Sequence, residues 1–232
     1  MTPRAARLVA PLAKLRGRSP RELADRLAHR VRLEADRRRS HAPTVLPIDG
    51  PAAIVPVPTL DRAALRAALG DDGCARVLAR ADAVRARRFP LLGHDALDYG
   101  DPPDWHRDPI SGRRAPLVHW SRVPYLDRDV VGDHKVTWEL NRHQWLLHLA
   151  QAHRLTGDER YATDAAQLLA HWLDANPPHT GMNWTSALEL AFRCIAWTHA
   201  LALFGETPAL APTLRHRLAG SIHDQLSWVA WN

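Results

Sequence analysis

Leu155-Thr156-Gly157-Asp158-Glu159 and Phe204-Gly205-Glu206-Thr207-Pro208 decide how this chain is read. Each follows a long run of helical periodicity and precedes another. The glycine supplies the left-handed residue that ends one helix, and the acid beside it favours the start of the next. Gly157 and Gly205 stand 48 residues apart. A period of that length, with two helices per unit, is the signature of stacked α/α hairpins in a solenoid or a toroid.

The neighbouring residues extend this pattern. Trp138, Asn141/Arg142, Trp145, Leu149 and Ala152 recur at helical spacing, which predicts one helix from Val136 to Gly157. Residues 158–175 form the next, with Tyr161, Ala165, Leu168, Leu169, Trp172 and Leu173 inward, and Asn176-Pro177-Pro178 breaks it. Ser186 caps a helix to Phe204, and a further helix covers about 209–230. Toward the N-terminus, Ser19-Pro20-Arg21-Glu22 combines a cap, a first-turn proline and a capping-box glutamate, predicting a helix to about Arg39. Residues 41–60 hold five prolines and read as an extended linker. Two short helices follow, over 61–69 and 72–88, and then a long irregular segment over 89–133. The expected fold is all-α: residues 1–40 a basic helix, 41–133 linker, short helices and loop, and 134–232 the start of a toroid.

Charge narrows the function classes. The chain of 232 residues carries a net +6, but residues 1–40 hold +8 and the remainder −2. The basic character belongs to one element, so nucleic acid is not the expected partner of the fold. No apolar run is expected to reach the roughly 18–20 residues of a membrane span. Leu8-Val9-Ala10-Pro11-Leu12-Ala13 is short and broken by proline, a poor signal peptide that leaves the compartment open. Cys74 and Cys194 lie far apart, and Cys194 sits within an apolar helical run, so a disulfide is not expected. HExxH, CxxC pairs, Walker loops, GxGxxG and GxSxG are all missing, and neither a metal nor a cofactor is expected.

Two clusters mix wide aromatics with polar groups. On the helix from Val136, Trp138, Asn141 and Arg142 share a face with Trp145. The second runs Gly181-Met182-Asn183-Trp184-Thr185-Ser186 and continues to Glu189, Arg193 and Trp197. An indole stacks on the apolar face of a sugar, an amide bonds its hydroxyls, and a guanidinium pairs with a carboxylate or sulfate. Trp138, Asn141, Arg142, Asn183, Trp184, Glu189 and Arg193 are therefore the candidate substrate-binding residues, with no catalytic residue nominated. Structural readings stand beside this one: Glu189 as half of a capping box with Ser186, Trp184 as a hydrophobic staple, Arg193 paired to Glu189 one turn back.

These same residues, with Lys135 to Trp145 and Thr156-Gly157-Asp158-Glu159-Arg160-Tyr161, resemble the heparinase II/III superfamily of polysaccharide lyases, which includes alginate lyases. Ser19-Pro20-Arg21-Glu22-Leu23 and Asp108-Pro109 also look like N-terminal regions of that group. The resemblance implies an incomplete α/α toroid followed by a β-sandwich, and β-elimination on an acidic, uronic-acid-containing polysaccharide. It further implies an Asn-His pair with a later tyrosine and histidine as the chemical groups. No Asn-His pair occurs in these 232 residues, and no β-sandwich is expected in them. The chain is therefore expected to hold substrate contacts but to be inactive alone, its partners being the polysaccharide and the missing toroid and sandwich. The alternatives are an α/α-toroid glycoside hydrolase, which needs two suitably spaced carboxylates, and a non-catalytic glycan-binding helical module.

Overall fold

The computed structural model describes residues 19–48 and 61–232. The weak leader and the second half of the linker lie outside the described residues. Two units part between Ser40 and His41. The first contains α1 (Pro20–Arg38), begun as the sequence predicts: the Ser19 hydroxyl accepts the Glu22 amide at 3.2 Å, with proline in the first turn. The helix buries none of its residues, and Leu27 and Val31 of its thin apolar stripe are exposed.

The second unit runs through α2 (Arg62–Arg85), the hairpin β1 (Arg88–Leu91) and β2 (His94–Asp98), α3 (Arg128–Val131) and α4 (His134–Asn141), and then α5 (Leu146–Thr156), α6 (Glu159–Ala175), α7 (Ala187–Phe204) and α8 (Pro212–Trp231). Gly157 ends α5 in the left-handed conformation and Gly205 ends α7 at positive φ. The pairs α5/α6 and α7/α8 are the two predicted hairpins, and α5 also packs against α2 and α7. The all-α reading holds; the only sheet among the described residues is the hairpin, where Phe89 pairs with Leu97.

The two short helices expected over 61–69 and 72–88 are present as the two halves of α2, parted where Gly70 takes the non-helical φ 64°. Two local expectations change. The single helix expected from Val136 to Gly157 is two, because the chain turns at His143, a non-glycine residue at φ 59°. Such a conformation is rare outside glycine, though histidine tolerates it better than most. Here it drives the imidazole inward, among the rings of Trp105, Trp145, Trp172 and Trp197 at centroid distances of 5.0–5.7 Å. The Trp197 indole donates to His143 Nδ1 at 2.8 Å. Ser186 occupies the N-cap of α7, but its side chain makes no capping bond.

The core is continuous across α4–α8: Leu140, Leu146, Leu149, Leu168, Trp172, Trp197, Leu201 and Phe204 are buried together. Each contributes about 1.5–3 kcal/mol relative to exposure. Residues 41–48 lie extended along α8. The Thr44 amide and hydroxyl donate to the Asp224 carboxylate at 3.0 and 2.5 Å, and the Leu46 amide to the His216 carbonyl at 3.2 Å. Gly220 permits this approach, since a Cβ there would sit 1.8 Å from the Thr44 carbonyl oxygen. Cys74 and Cys194 are both free and buried, and burial pushes the Cys194 thiol up to about 11.

One helix corrects the membrane expectation. By length and composition α7 is apolar enough to cross a bilayer, with a mean hydropathy of 1.3. The reading of short runs overlooked it because Glu189, Arg193 and His199 interrupt the apolar residues. Half of the helix is buried in the chain, and Glu189 and Arg193 are among the buried residues, as in a core helix.

Candidate functional site

The long segment before α4 is held in shape by Asp108. Its carboxylate accepts the Ser111 hydroxyl at 2.6 Å and the Ile110 and Asp133 amides at 2.9 Å. Burial pushes its pKa up, but these hydrogen bonds outweigh that, and the net result lies below the usual carboxylate value. Gly132 lies against this carboxylate at φ 75°, where a Cβ would come within 2.3 Å of Asp108 Oδ2. Asp133 then caps α4 through the Lys135 amide. The Asp108-Pro109 loop thereby fixes the position at which α4 begins.

The second cluster reaches the same place through main-chain pairing. His119 bridges to Thr180, the Trp120 amide bonds the His179 carbonyl, and the Gly181 amide bonds the Val118 carbonyl. Gly181, at φ 79°, starts the 3-10 turn Met182–Trp184 that leads into α7. The Trp138 indole donates to the Met182 carbonyl at 3.3 Å, tying α4 to that turn.

The seven candidate residues are brought together at the junction of α4, the 3-10 turn and α7, but they differ in access. Asn141, Asn183 and Arg193 are wholly buried, and Trp184 and Glu189 nearly so. Asn141 donates to the Thr137 and Trp105 carbonyls, both at 2.8 Å, and accepts the Trp172 indole at 2.7 Å. Asn183 donates to Asn176 Oδ1 at 2.7 Å. Arg193 donates to Gln225 and to the carbonyls of Asn141 and Asn183 at 2.7–3.0 Å, and its guanidinium lies over the Trp172 ring at 4.5 Å. Desolvation lowers its pKa to about 10, so it stays charged at neutral pH. The expected pairing of Arg193 with Glu189 is replaced by this knot. Glu189 instead grips Arg142 with both oxygens, at 2.6 and 3.0 Å, and Glu139 takes the third bond at 2.5 Å. The Glu189 hydrogen bond and charge raise the Arg142 pKa further.

The polar atoms of the buried set are mostly engaged by protein. Two atoms there, Asn183 Oδ1 and Trp184 Nε1, are buried without a protein hydrogen-bond partner. Half-buried Trp138 remains at the surface, within an aromatic group the sequence reading missed: Tyr125 at 5.5 Å and His134 edge-on at 4.6 Å. Burial lowers the His134 pKa, which keeps it neutral at pH 7. Tyr125 carries no periodic signal because it lies in the irregular segment. His134 is the first residue of α4, one turn before Trp138, and helical spacing would have pointed to it.

Comparison with known proteins agrees with this architecture. The model of the family described as Heparinase II/III N-terminus matches residues 75–232. A heparin-sulfate lyase of Pedobacter heparinus is 24% identical over 156 residues, covering 65% of this chain and 20% of that protein. A heparin-sulfate lyase of Bacteroides thetaiotaomicron is 32% identical over 83 residues, covering 35% and 11% respectively. The crystal structure of heparan sulfate lyase HepC from Pedobacter heparinus superposes with a TM-score of 0.55 at 21% identity, over 78% of this chain and 24% of that one. The chain thus spans no more than about a fifth of the length of the curated relatives it matches.

Proposed function

We propose, given that the chain belongs to the heparinase II/III N-terminal family, that it builds one wall of a cleft for an acidic polysaccharide in a lyase acting by β-elimination. The observation that carries this reading is the half-buried Trp138 ledge, backed by a largely hydrogen-bonded polar knot. An aromatic face of this kind stacks on a sugar ring, and a rigid backing holds it in place without an entropic cost on binding. Trp138 is the contact residue, Tyr125 flanks it, and Arg142, Asn141, Asn183, Trp184, Glu189 and Arg193 position them. The similar heparin-sulfate lyases of Pedobacter heparinus and Bacteroides thetaiotaomicron support an acidic substrate.

The wall binds and does not react. Elimination needs a group to take a proton and another to protonate the leaving oxygen. Glu139 and Glu189 are both bound to Arg142, which also argues against a glycosidase pair. The chain alone is accordingly inactive, and acid and base come from elsewhere in the lyase.

The test is direct binding of the 232-residue chain to heparan-sulfate-type and other uronate polysaccharides, with a neutral glucan as control. Trp138→Ala should weaken acidic-glycan binding roughly tenfold, about 1.4 kcal/mol, with the fold intact by circular dichroism. Equal binding by the variant, or equal binding of the neutral glucan, would overturn the proposal. Release of unsaturated uronate by the chain alone would overturn the claim of inactivity.

A further inference from the structure

Three histidines that the cleft reading does not use come together from three separate stretches of chain. His41 stands at the start of the extended segment on α8, His119 in the loop before α3, and His179 in the loop before α7. One ligand atom from each lies within 4.8 Å of the others. Ring centroids are 3.9 Å apart for His41 and His179, 6.2 Å for His41 and His119, and 6.4 Å for His119 and His179. All three residues are half-buried.

We propose that His41, His119 and His179 form a binding site for a divalent transition-metal ion such as zinc. Imidazole nitrogens bind zinc at about 2.0–2.1 Å in tetrahedral geometry, which sets ring centroids roughly 5 Å apart around one ion. The three observed separations bracket that distance. Ser121 engages His119 Nδ1 through its hydroxyl at 2.9 Å. A ligating histidine whose other nitrogen is held by a neighbour is the usual arrangement in metal sites. His41 and His179 are stacked within 6° of parallel, so binding re-aims these two rings to converge on the ion.

Each arm is anchored independently. Thr44 and Leu46 fix the His41 segment to α8. The His119 and His179 loops are zipped by their own main-chain bonds. Three imidazole ligands select zinc, copper or nickel over calcium or magnesium. The ion would clasp residues 41–48 to both loops. It would also steady Trp184, whose ring stacks on His179 at 5.3 Å. Sequence spacing conceals the site, since 78 and 60 residues separate successive ligands.

The experiment is zinc titration of chelator-treated protein by calorimetry, with cobalt as an optical probe. One zinc per chain, a visible cobalt spectrum of tetrahedral type, and a melting temperature raised by about 5–10 °C at a hundredfold excess over Kd are expected. His119→Gln and His179→Gln should each weaken binding about tenfold or more, and the triple His→Gln variant should abolish it. His223→Gln, at an exposed histidine on α8, should change nothing. His41→Gln, outside every helix, keeps the test decisive if a loop variant does not fold. Gly220→Ala, which pushes the Thr44 segment off α8, should weaken zinc binding without altering an imidazole. Zinc affinity unchanged in the triple variant, or no saturable binding by the parent protein, would overturn the proposal.

Discussion

Helices α1 and α7 are almost equal in length, 19 and 18 residues, and put charge to opposite uses. On α1 charges pair with one another along the helix. Arg26 pairs with Glu22, and Arg37 and Arg38 with Glu34, all within one turn on a helix that buries none of its residues. On α7 only two strong charges matter, and both are enclosed: Glu189 clamps Arg142 of the neighbouring element, and Arg193 joins α7 to α8 and to the backbone of both candidate clusters. The net charge is dominated by residues 1–40, which hold +8 against −2 for the remainder. A charge near water is screened and solvated. A charge in the core must be fully partnered, and its partners become part of the fold.

The sharpest way to break this contrast is Arg193→Leu. Three acceptors lose their donor inside the core, and a loss of about 3–5 kcal/mol is expected in denaturant unfolding. A loss as small as that of a surface charge would mean the knot is not structural. Arg142→Ala is next. It strands Glu189, but Arg142 is about a quarter exposed, so about 2–3 kcal/mol is expected from the same measurement after allowing for solvent.

Acid provides a third test. Burial first, and then the Arg193 charge, hold the His143 pKa well below its usual value. The unfolded chain therefore takes up a proton near pH 6.5 that the folded chain refuses. Stability is fully present above that pH and falls as pH drops toward the folded value, by up to about 1.4 kcal/mol per unit for this residue. Burial acts in the same direction on His106 and His148. Melting temperatures from pH 7.5 down to 5 should fall, and more steeply than in a His143→Gln variant that still folds. The smallest effect belongs to α1: Arg26→Ala should change unfolding by less than about 0.5 kcal/mol. A larger change would show that α1's charges bear on stability after all.

Much of the fold was legible from punctuation. Gly157, Gly205, the Asn176-Pro177-Pro178 break and Ser19-Pro20 act locally, within one turn of the residue that carries the signal, so sequence alone places them. The turn at His143 was not legible. Trp138, Trp145 and Leu149 keep helical spacing across it, and only the enclosing tryptophans stabilise the unusual backbone there. The candidate site was half legible. Both clusters were found and do meet, but periodicity says which residues share a face and cannot say how deeply that face is buried. Ser186 and Glu189 also fit a capping box, yet Arg142 arrives from another element and takes Glu189.

Sequence by itself determined the all-helical class, the hairpin repeat, the location of the basic charge and the seven residues that gather at one junction. Tertiary structure decided which of those seven touch solvent, gave Trp138 its aromatic neighbours, and assembled three histidines from distant segments. The physical reason is range. Helix propensity, capping and charge act between residues a few positions apart, whereas burial and side-chain convergence depend on which distant segments the core brings together.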